Sequence, residues 1–289
     1  MRLFSKGSYP LNLSMMLLED ETNALTIDQV ATPKYQKAFK KNYQPILNLS
    51  ISRSTYWLKI KLVYPDAYPN EEDFKRWYLE LGRSNLDMAE LFIEEFDGVY
   101  EVKSSDMRSA YSDREVQHVN SVFVLDMSLG QEMTLYAKFK SRTAVYMPIT
   151  LWSQREFVDE VSTVEFIYGV FFGGMLILLS YNLFLYVSVR DVSYLYYVLY
   201  LGGITLFDFL EIGHGVIHLT NIIGDISREY VLFIIWETAI AGLLFAKSFM
   251  SIKENHPRIN DFFNLLITCS IISAIITIFT SYGTGAIFN

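Results

Sequence analysis

The sequence predicts an all-β sandwich, of jelly-roll type if its strands follow a Greek-key order, followed by a bundle of α-helices that crosses a membrane. Three observations carry that prediction. Residues 1–160 hold 19 Lys/Arg and 23 Asp/Glu, whereas residues 161–289 hold only 5 and 9, so the two parts are made for different solvents. The first part alternates apolar and polar residues in short runs, the period of a half-buried strand. The second contains four apolar runs of spanning length. Charge stops near residues 154–164, which sets the expected domains at 1–158 and 164–289.

In the first part, Thr26 as N-cap with Gln29 three residues on forms a capping box, so a short helix is expected over 27–31. Along 55–64, Tyr56, Leu58, Ile60 and Leu62 point one way while Trp57, Lys59 and Lys61 point the other. The run 132–140 repeats the pattern with Met133, Leu135, Ala137 and Phe139. Similar runs cover 77–82, 119–126 and 145–152, and 91–102 contains Asp97-Gly98, a dipeptide that type I′ hairpin turns prefer. At least seven strands fit.

The spans are expected at 164–189, 192–212, 230–250 and 262–284. Phe166 to Val189 is 24 residues without a charge. At about 1.5 Å per residue that run exceeds the roughly 30 Å of a bilayer's hydrocarbon core. The second run carries Asp208 and Glu211, the third Glu237 near its middle, and the fourth lies within the charge-free stretch 262–289. Four such runs in close succession read poorly as buried helices of a soluble protein. Arg190 joins the first two spans, and Lys247, Lys253 and Arg258 join the last two, against Arg228 alone in the remaining loop. The positive-inside rule then puts those two connections in the cytoplasm and the β-domain outside. An exported domain needs a signal peptide, yet Leu11–Leu18 is interrupted by Asn12 and Ser14, so a start upstream of Met1 is expected. The end inside an apolar stretch reads the same way, as a chain cut short.

Other classes drop out. The composition is too apolar for disorder, and the single cysteine, Cys269, excludes an internal disulfide framework. Each half carries four more acids than bases, with no basic patch, so nucleic acid is not an expected partner.

Candidate site residues come from three places. On the β-domain, Trp57 is set with Lys59 and Lys61 rather than with the leucines, and Trp77 and Tyr78 supply further rings that could lie against the C–H face of a sugar. The competing reading is that such rings fill the core. In the membrane, Asp208, Glu211, His214 and His218 fall at helical spacing if the helix runs through Gly213 and Gly215. Glu211, His214 and His218 are weak metal candidates on that basis, and no cofactor is otherwise expected. Intramembrane polar groups are costly, so Asn182, Asp208, Glu211 and Glu237 are candidates for coupling between helices. Gly169 and Gly173 form a GxxxG that would let the first span pack closely on another span or on a second copy, in a homodimer.

"YNLFLYVSVRDVSYLYYVLYL" (181–201) and "FAKSFMSIKENHPRI" (245–259) resemble the span junctions of bacterial seven-transmembrane receptors with diverse intracellular signalling modules. "LEDETNALTIDQV", "STYWLKIKL", "WYLELG" and "MPITLW" resemble the type 2 extracellular domain of that family, a jelly roll related to carbohydrate-binding modules. The resemblance covers about residues 12–289. It implies seven spans, of which four are visible, and a location in the bacterial inner membrane. It also implies a small-molecule or glycan ligand outside, and a cytoplasmic output module in cis or trans, such as a diguanylate cyclase or histidine kinase, which this chain does not carry. No enzymatic activity is therefore expected of the chain itself. The family's central motif maps onto Asp106, Arg114 and His118, with Ala110-Tyr111 where Pro-Phe is usual; these residues would bind ligand or brace a loop as a buried ion pair. The alternative from another class is a transporter or accessory membrane subunit that uses Asp208 and Glu237 as coupling groups.

Overall fold

The computed structural model describes residues 1, 3, 6–65, 76–82, 86–95, 98–105, 114–141, 144–215 and 228–285. They divide into two compact units, Met1–Thr163 and Val164–Asn289.

In the first unit, one sheet has the order β3 (Lys40–Lys41), β2 (Met15–Asp20), β5 (Thr55–Val63), β10 (Glu132–Lys140), β7 (Met88–Glu94), β8 (Tyr100–Ser104). A second has the order β1 (Ser8–Pro10), β12 (Ile149–Ser153), β6 (Arg76–Leu81), β9 (Ser121–Asp126), and β11 (Val145–Met147) pairs separately with β4 (Leu47–Leu49). Every pairing is antiparallel. The alternation read from sequence is what closes the sandwich. Leu58, Ile60 and Leu62 of β5 and Leu135, Ala137 and Phe139 of β10 share one buried cluster with Leu79 and Leu81 of β6 and Phe123 and Leu125 of β9. Burying each such large side chain contributes about 1.5–3 kcal/mol.

Two differences from the sequence reading have local causes. The run expected as one strand over 145–152 is two, because Pro148 has no N–H to donate to a ladder and the chain changes sheets there. The buried Asn12 bridges the break, its Nδ2 donating to Met147 O at 3.1 Å and its Oδ1 accepting the Ile149 N–H at 2.9 Å. The segment Leu11–Leu18, read as an interrupted apolar run, leads into β2, where Met15 and Leu17 pack on the main core and Met16 and Leu18 on the opposite face.

Between β2 and β3 the chain leaves the sheet and forms two single turns of helix, α1 (Ile27–Val30) and α2 (Pro33–Gln36). The expected cap is present: Gln29 Oε1 accepts the Thr26 N–H at 3.1 Å. Val30 and Phe39 of this flap join Leu18, Trp57, Phe92 and Tyr136 in a smaller second cluster on the outer face of the six-stranded sheet. Asp20 holds the flap's first corner, accepting from Thr22 N at 3.0 Å, Thr22 Oγ1 at 2.6 Å and Leu25 N at 3.0 Å. Burial pushes its carboxyl up, but these hydrogen bonds outweigh that and hold it below the usual carboxylate range. A depressed carboxyl adds stability above its unfolded value, near 3.9, and loses that contribution as pH falls through the folded value. Asp20→Asn should therefore lower the thermal midpoint at pH 7, and the gap from wild type should close as pH falls through the depressed folded value, as read by circular dichroism.

The helices that follow are α3 (Gln154–Val189), α4 (Val192–Glu211), α5 (Arg228–Phe249), α6 (Ile252–Asn255) and α7 (Pro257–Gly285). Four of them are long and apolar enough to cross a membrane. Helix α3 starts ten residues before the span expected from 164, because 154–168 contains no Gly or Pro to stop it and its charges do not break a helix. Helix α7 starts at Pro257, a residue suited to a first helical position. Arg190, at φ +60°, ends α3, and Asp191 restarts the chain by accepting the Ser193 N–H at 2.8 Å. Helices α4 and α5 lie close together. A Cβ built on Gly203 would sit 2.1 Å from Thr238 Oγ1 and 2.8 Å from Glu237 Oε2, and one on Gly242 would sit 2.9 Å from Tyr200 Cδ2. At the other end of the seam Ser193 Oγ lies 2.9 Å from Ser248 Oγ. Gly169 and Gly173 have no neighbouring atom within 4 Å of an added Cβ, so among the described residues their GxxxG face packs on no other span.

Candidate functional site

A concave site on the β-domain lies where the two sheets end beside each other. β8 is the edge of one sheet and β9 the edge of the other. Alternation along β8 sends Tyr100 and Val102 outward and Glu101 and Lys103 inward. Those inward charges, with Ser105, Arg114, Glu115 and the edge of β9 at Val122 and Phe123, line a cleft of about 290 Å³. That volume is at the low end of the roughly 300–1,000 Å³ of small-molecule sites.

The charges in the cleft do structural work on β9. Lys103 Nζ stands 2.8 Å from Glu115 Oε1 and 3.7 Å from Glu101 Oε1, and it donates to Val124 O at 2.8 Å. Glu115 Oε2 accepts the Val124 N–H at 3.3 Å. An edge strand leaves alternate backbone groups without a ladder partner, and this ion pair supplies both for Val124 while covering the edge against another chain.

Arg114 leads away from the cleft, its Nη1 donating to His118 O at 3.0 Å. His118 Nδ1 accepts the Asn120 N–H at 3.2 Å, and its ring lies 5.5 Å from that of Phe157 in the first turns of α3. Phe157 in turn stacks on Tyr78, with centroids 4.7 Å apart and planes 5° from parallel. Glu80, two residues along the same strand face, accepts from Asn120 Nδ2 and Trp152 Nε1, each at 2.7 Å. A continuous set of contacts therefore joins the cleft to the start of α3.

Of the residues proposed from sequence, Arg114, His118 and Tyr78 are brought together in this way, while Asp106 lies outside the described residues. Trp77 is corrected as a ligand residue, and Trp57 as an exposed one. Trp77 is fully buried between the sheets against Tyr9 at 5.8 Å and Tyr64 at 6.4 Å, on the core side of β6. Trp57 does face away from that core with Lys59, but the flap covers it and leaves it 0% exposed, so it offers no open platform. Lys59 is half-buried beside it and donates to Gln36 Oε1 of the flap. Sequence reasoning missed Lys103, Glu115, Glu80 and Phe157. Lys103 stands at an inward position of an edge strand, which is the signal that could have found it.

The membrane candidates are also placed. Asn182 Nδ2 donates to Leu178 O of its own helix at 2.8 Å. Glu237 packs against Gly203 on the α4–α5 seam. Asp208 is five residues beyond Gly203, about 140° round the helix and so off that seam, and the two carboxylates are not hydrogen-bonded to each other. Gly213, at φ +101°, ends the helix after Glu211 and breaks the spacing that would have put Glu211 and His214 on one face. The exposed Glu211 and the buried His214 are thereby separated. His214 Nε2 lies 3.9 Å from Glu165 Oε2, its ring among Tyr168 at 5.2 Å, Phe209 at 6.0 Å and Phe172 at 6.3 Å. His218 lies outside the described residues, and among those described no group of three His, Cys, Asp or Glu is arranged to hold a metal ion.

No curated protein matches the chain. Among solved structures it is similar to TmCBM61 in complex with β-1,4-galactotriose, at 6% identity over 50% of this chain and 81% of that one, with a TM-score of 0.21. It is also similar to a GH31 α-xylosidase from Xanthomonas citri, at 13% identity over 52% of this chain and 17% of that one, with a TM-score of 0.24. The family model described as 7TMR-DISM extracellular 2 matches residues 12–153, and the model described as 7TM diverse intracellular signalling matches residues 165–289. With these two domains in order along one chain, the protein belongs to the seven-transmembrane receptors with diverse intracellular signalling, a family of multi-pass membrane signalling receptors.

Proposed function

We propose that this chain is the sensing and membrane part of a receptor in a bacterial inner membrane. Its β-domain lies outside the cytoplasm and binds a small polar, carbohydrate-like ligand in the cleft between β8 and β9. The helices then relay occupancy to a cytoplasmic signalling module, in cis or in trans. The observation that carries this reading is the chain of contacts from Arg114 through His118 to Phe157. A ligand that engages the Arg114 guanidinium competes with its bond to His118 O and so alters the packing of His118 on Phe157. Such a shift needs the ligand to bind one packing more tightly than the other. The lining suits hydroxyl groups and not an apolar ligand, since it offers two acids, two bases and two serines.

The test is calorimetric titration of the full chain in nanodiscs with a panel of neutral monosaccharides. At least one should bind, and Arg114→Ala should weaken it about tenfold or more, the loss of one charge-assisted hydrogen bond. Phe157→Ala should change the affinity far less than Arg114→Ala does, and should remove the ligand-induced change in amide exchange along α3. An affinity insensitive to Arg114→Ala, or no binding by any sugar of the panel, would set the cleft aside as the sensing site.

A further inference from the structure

The outer face of the six-stranded sheet carries groups that the cleft does not use. Strand register sets Trp57 beside Lys138, Lys59 beside Tyr136 and Tyr136 beside Phe92, all on the face away from the main core. The rings form a nearly continuous layer, with Trp57 and Phe92 centroids 5.4 Å apart and Tyr100 meeting Tyr136 edge-on at 6.1 Å. Trp57 Nε1 is buried and has no hydrogen-bond partner among the described residues. Leaving such a donor unmade is costly, so a buried indole N–H without an acceptor calls for an explanation. Lys59, two residues along the same strand face, has no carboxylate within 4.0 Å among the described residues; its ammonium meets only the neutral Gln36 amide and the Tyr136 ring. Lys138 differs in this respect, being paired with Glu90 at 3.1 Å. Tyr136 adds a third donor in its hydroxyl, which burial pushes up to about 12. Three donors, one of them charged, thus share a layer of aromatic rings and lack an anionic acceptor.

The cover is two single turns of helix, which pack on the sheet through the buried Val30 and Phe39 and the partly buried Leu25, Ile27 and Tyr35, with Gln36 Nε2 donating to Tyr136 OH at 3.1 Å. We propose that the sheet face beneath residues 24–39 is a second ligand site, for a pyranose carrying a carboxylate, with Trp57 and Lys59 as its donors and this flap as its lid. The rings take the C–H face of the sugar, the Lys59 ammonium takes the carboxylate in place of Gln36, and the indole N–H finds its acceptor. Because the face binds only while the flap is open, the apparent affinity is the intrinsic one multiplied by the fraction of time the flap is open. This site does not rest on the cleft reading.

Sodium glucuronate is the probe, with glucose as the neutral control, on the full chain in nanodiscs followed by hydrogen–deuterium exchange and calorimetry. Glucuronate should bind more tightly than glucose and change exchange in residues 25–39. Trp57→Phe, which keeps a ring and removes the unmade donor, should weaken binding about tenfold without lowering the thermal midpoint. Lys59→Gln should erase the preference for glucuronate, and it decides the matter alone if Trp57→Phe does not fold. Exchange changes confined to 101–124 would assign glucuronate to the cleft and overturn the proposal. It is equally overturned by wild-type affinity in both variants, or by no binding of glucuronate.

Discussion

Trp77→Ala is expected to cost the β-domain about 3–5 kcal/mol, the range for deleting a fully buried large aromatic side chain. That is a large share of the roughly 5–15 kcal/mol that separates a folded domain from its unfolded chain. Trp77 is 0% exposed, at the centre of the cluster that both sheets share, with Tyr9 and Tyr64 against its ring. Truncation leaves a cavity between strands already fixed by their ladders, so the site cannot collapse to fill it. Chemical denaturation of the full chain, followed by circular dichroism in the near ultraviolet, should show the sandwich transition at a markedly lower midpoint. A ligand residue on the surface would instead lose binding and leave the midpoint where it was.

In the membrane unit the largest effect is expected at Gly203. Even one added carbon would sit 2.1 Å from Thr238 Oγ1 and 3.1 Å from Thr238 Cβ. Thr238 is held in turn by the hydrogen bond it donates to Ile234 O at 2.7 Å. Without a hydrophobic force between helices in lipid, close approach at small residues is what holds a pair together. Gly203→Leu should force α4 and α5 apart, with a loss of at least about 1–3 kcal/mol, the range typical of overpacking. The readout is faster proteolysis of the detergent-solubilised protein and a lower thermal midpoint. Gly203→Ala should be milder, and Thr238→Ala should partly rescue it by removing the nearest atom.

How far the sequence could be read depended on which property each element expresses. Period-2 alternation is a local signal, and it placed β5 and β10 with Leu58, Ile60 and Leu62 turned inward. It assigns a residue to a face, however, and says nothing of what lies over that face. Trp57 was put correctly opposite the leucines, and its burial arises from Val30 and Phe39, residues that reach it only through the fold. Lys103 and Glu115 were passed over because a charge in an alternating run looks solvated, whereas at the edge of a sandwich it can complete the backbone of the neighbouring strand. Apolar length located the four membrane helices, but their ends obey breakers and caps, as at Gln154, Asp191 and Gly213. The intramembrane carboxylates were visible from sequence as anomalies. Their neighbours were not, because contact between Glu237 and Gly203 depends on the register of two helices.

The account turns on the β-domain standing outside the cytoplasm while the Arg190 turn lies within it. A Cys269→Ser background, which removes the single native thiol, allows this to be measured directly with a membrane-impermeant maleimide on spheroplasts. Tyr43→Cys, at a position 78% exposed on the β-domain, should be labelled in intact spheroplasts. Arg190→Cys should be labelled only after the membrane is permeabilised. Labelling of Arg190→Cys in intact spheroplasts, with Tyr43→Cys protected until permeabilisation, would contradict the account.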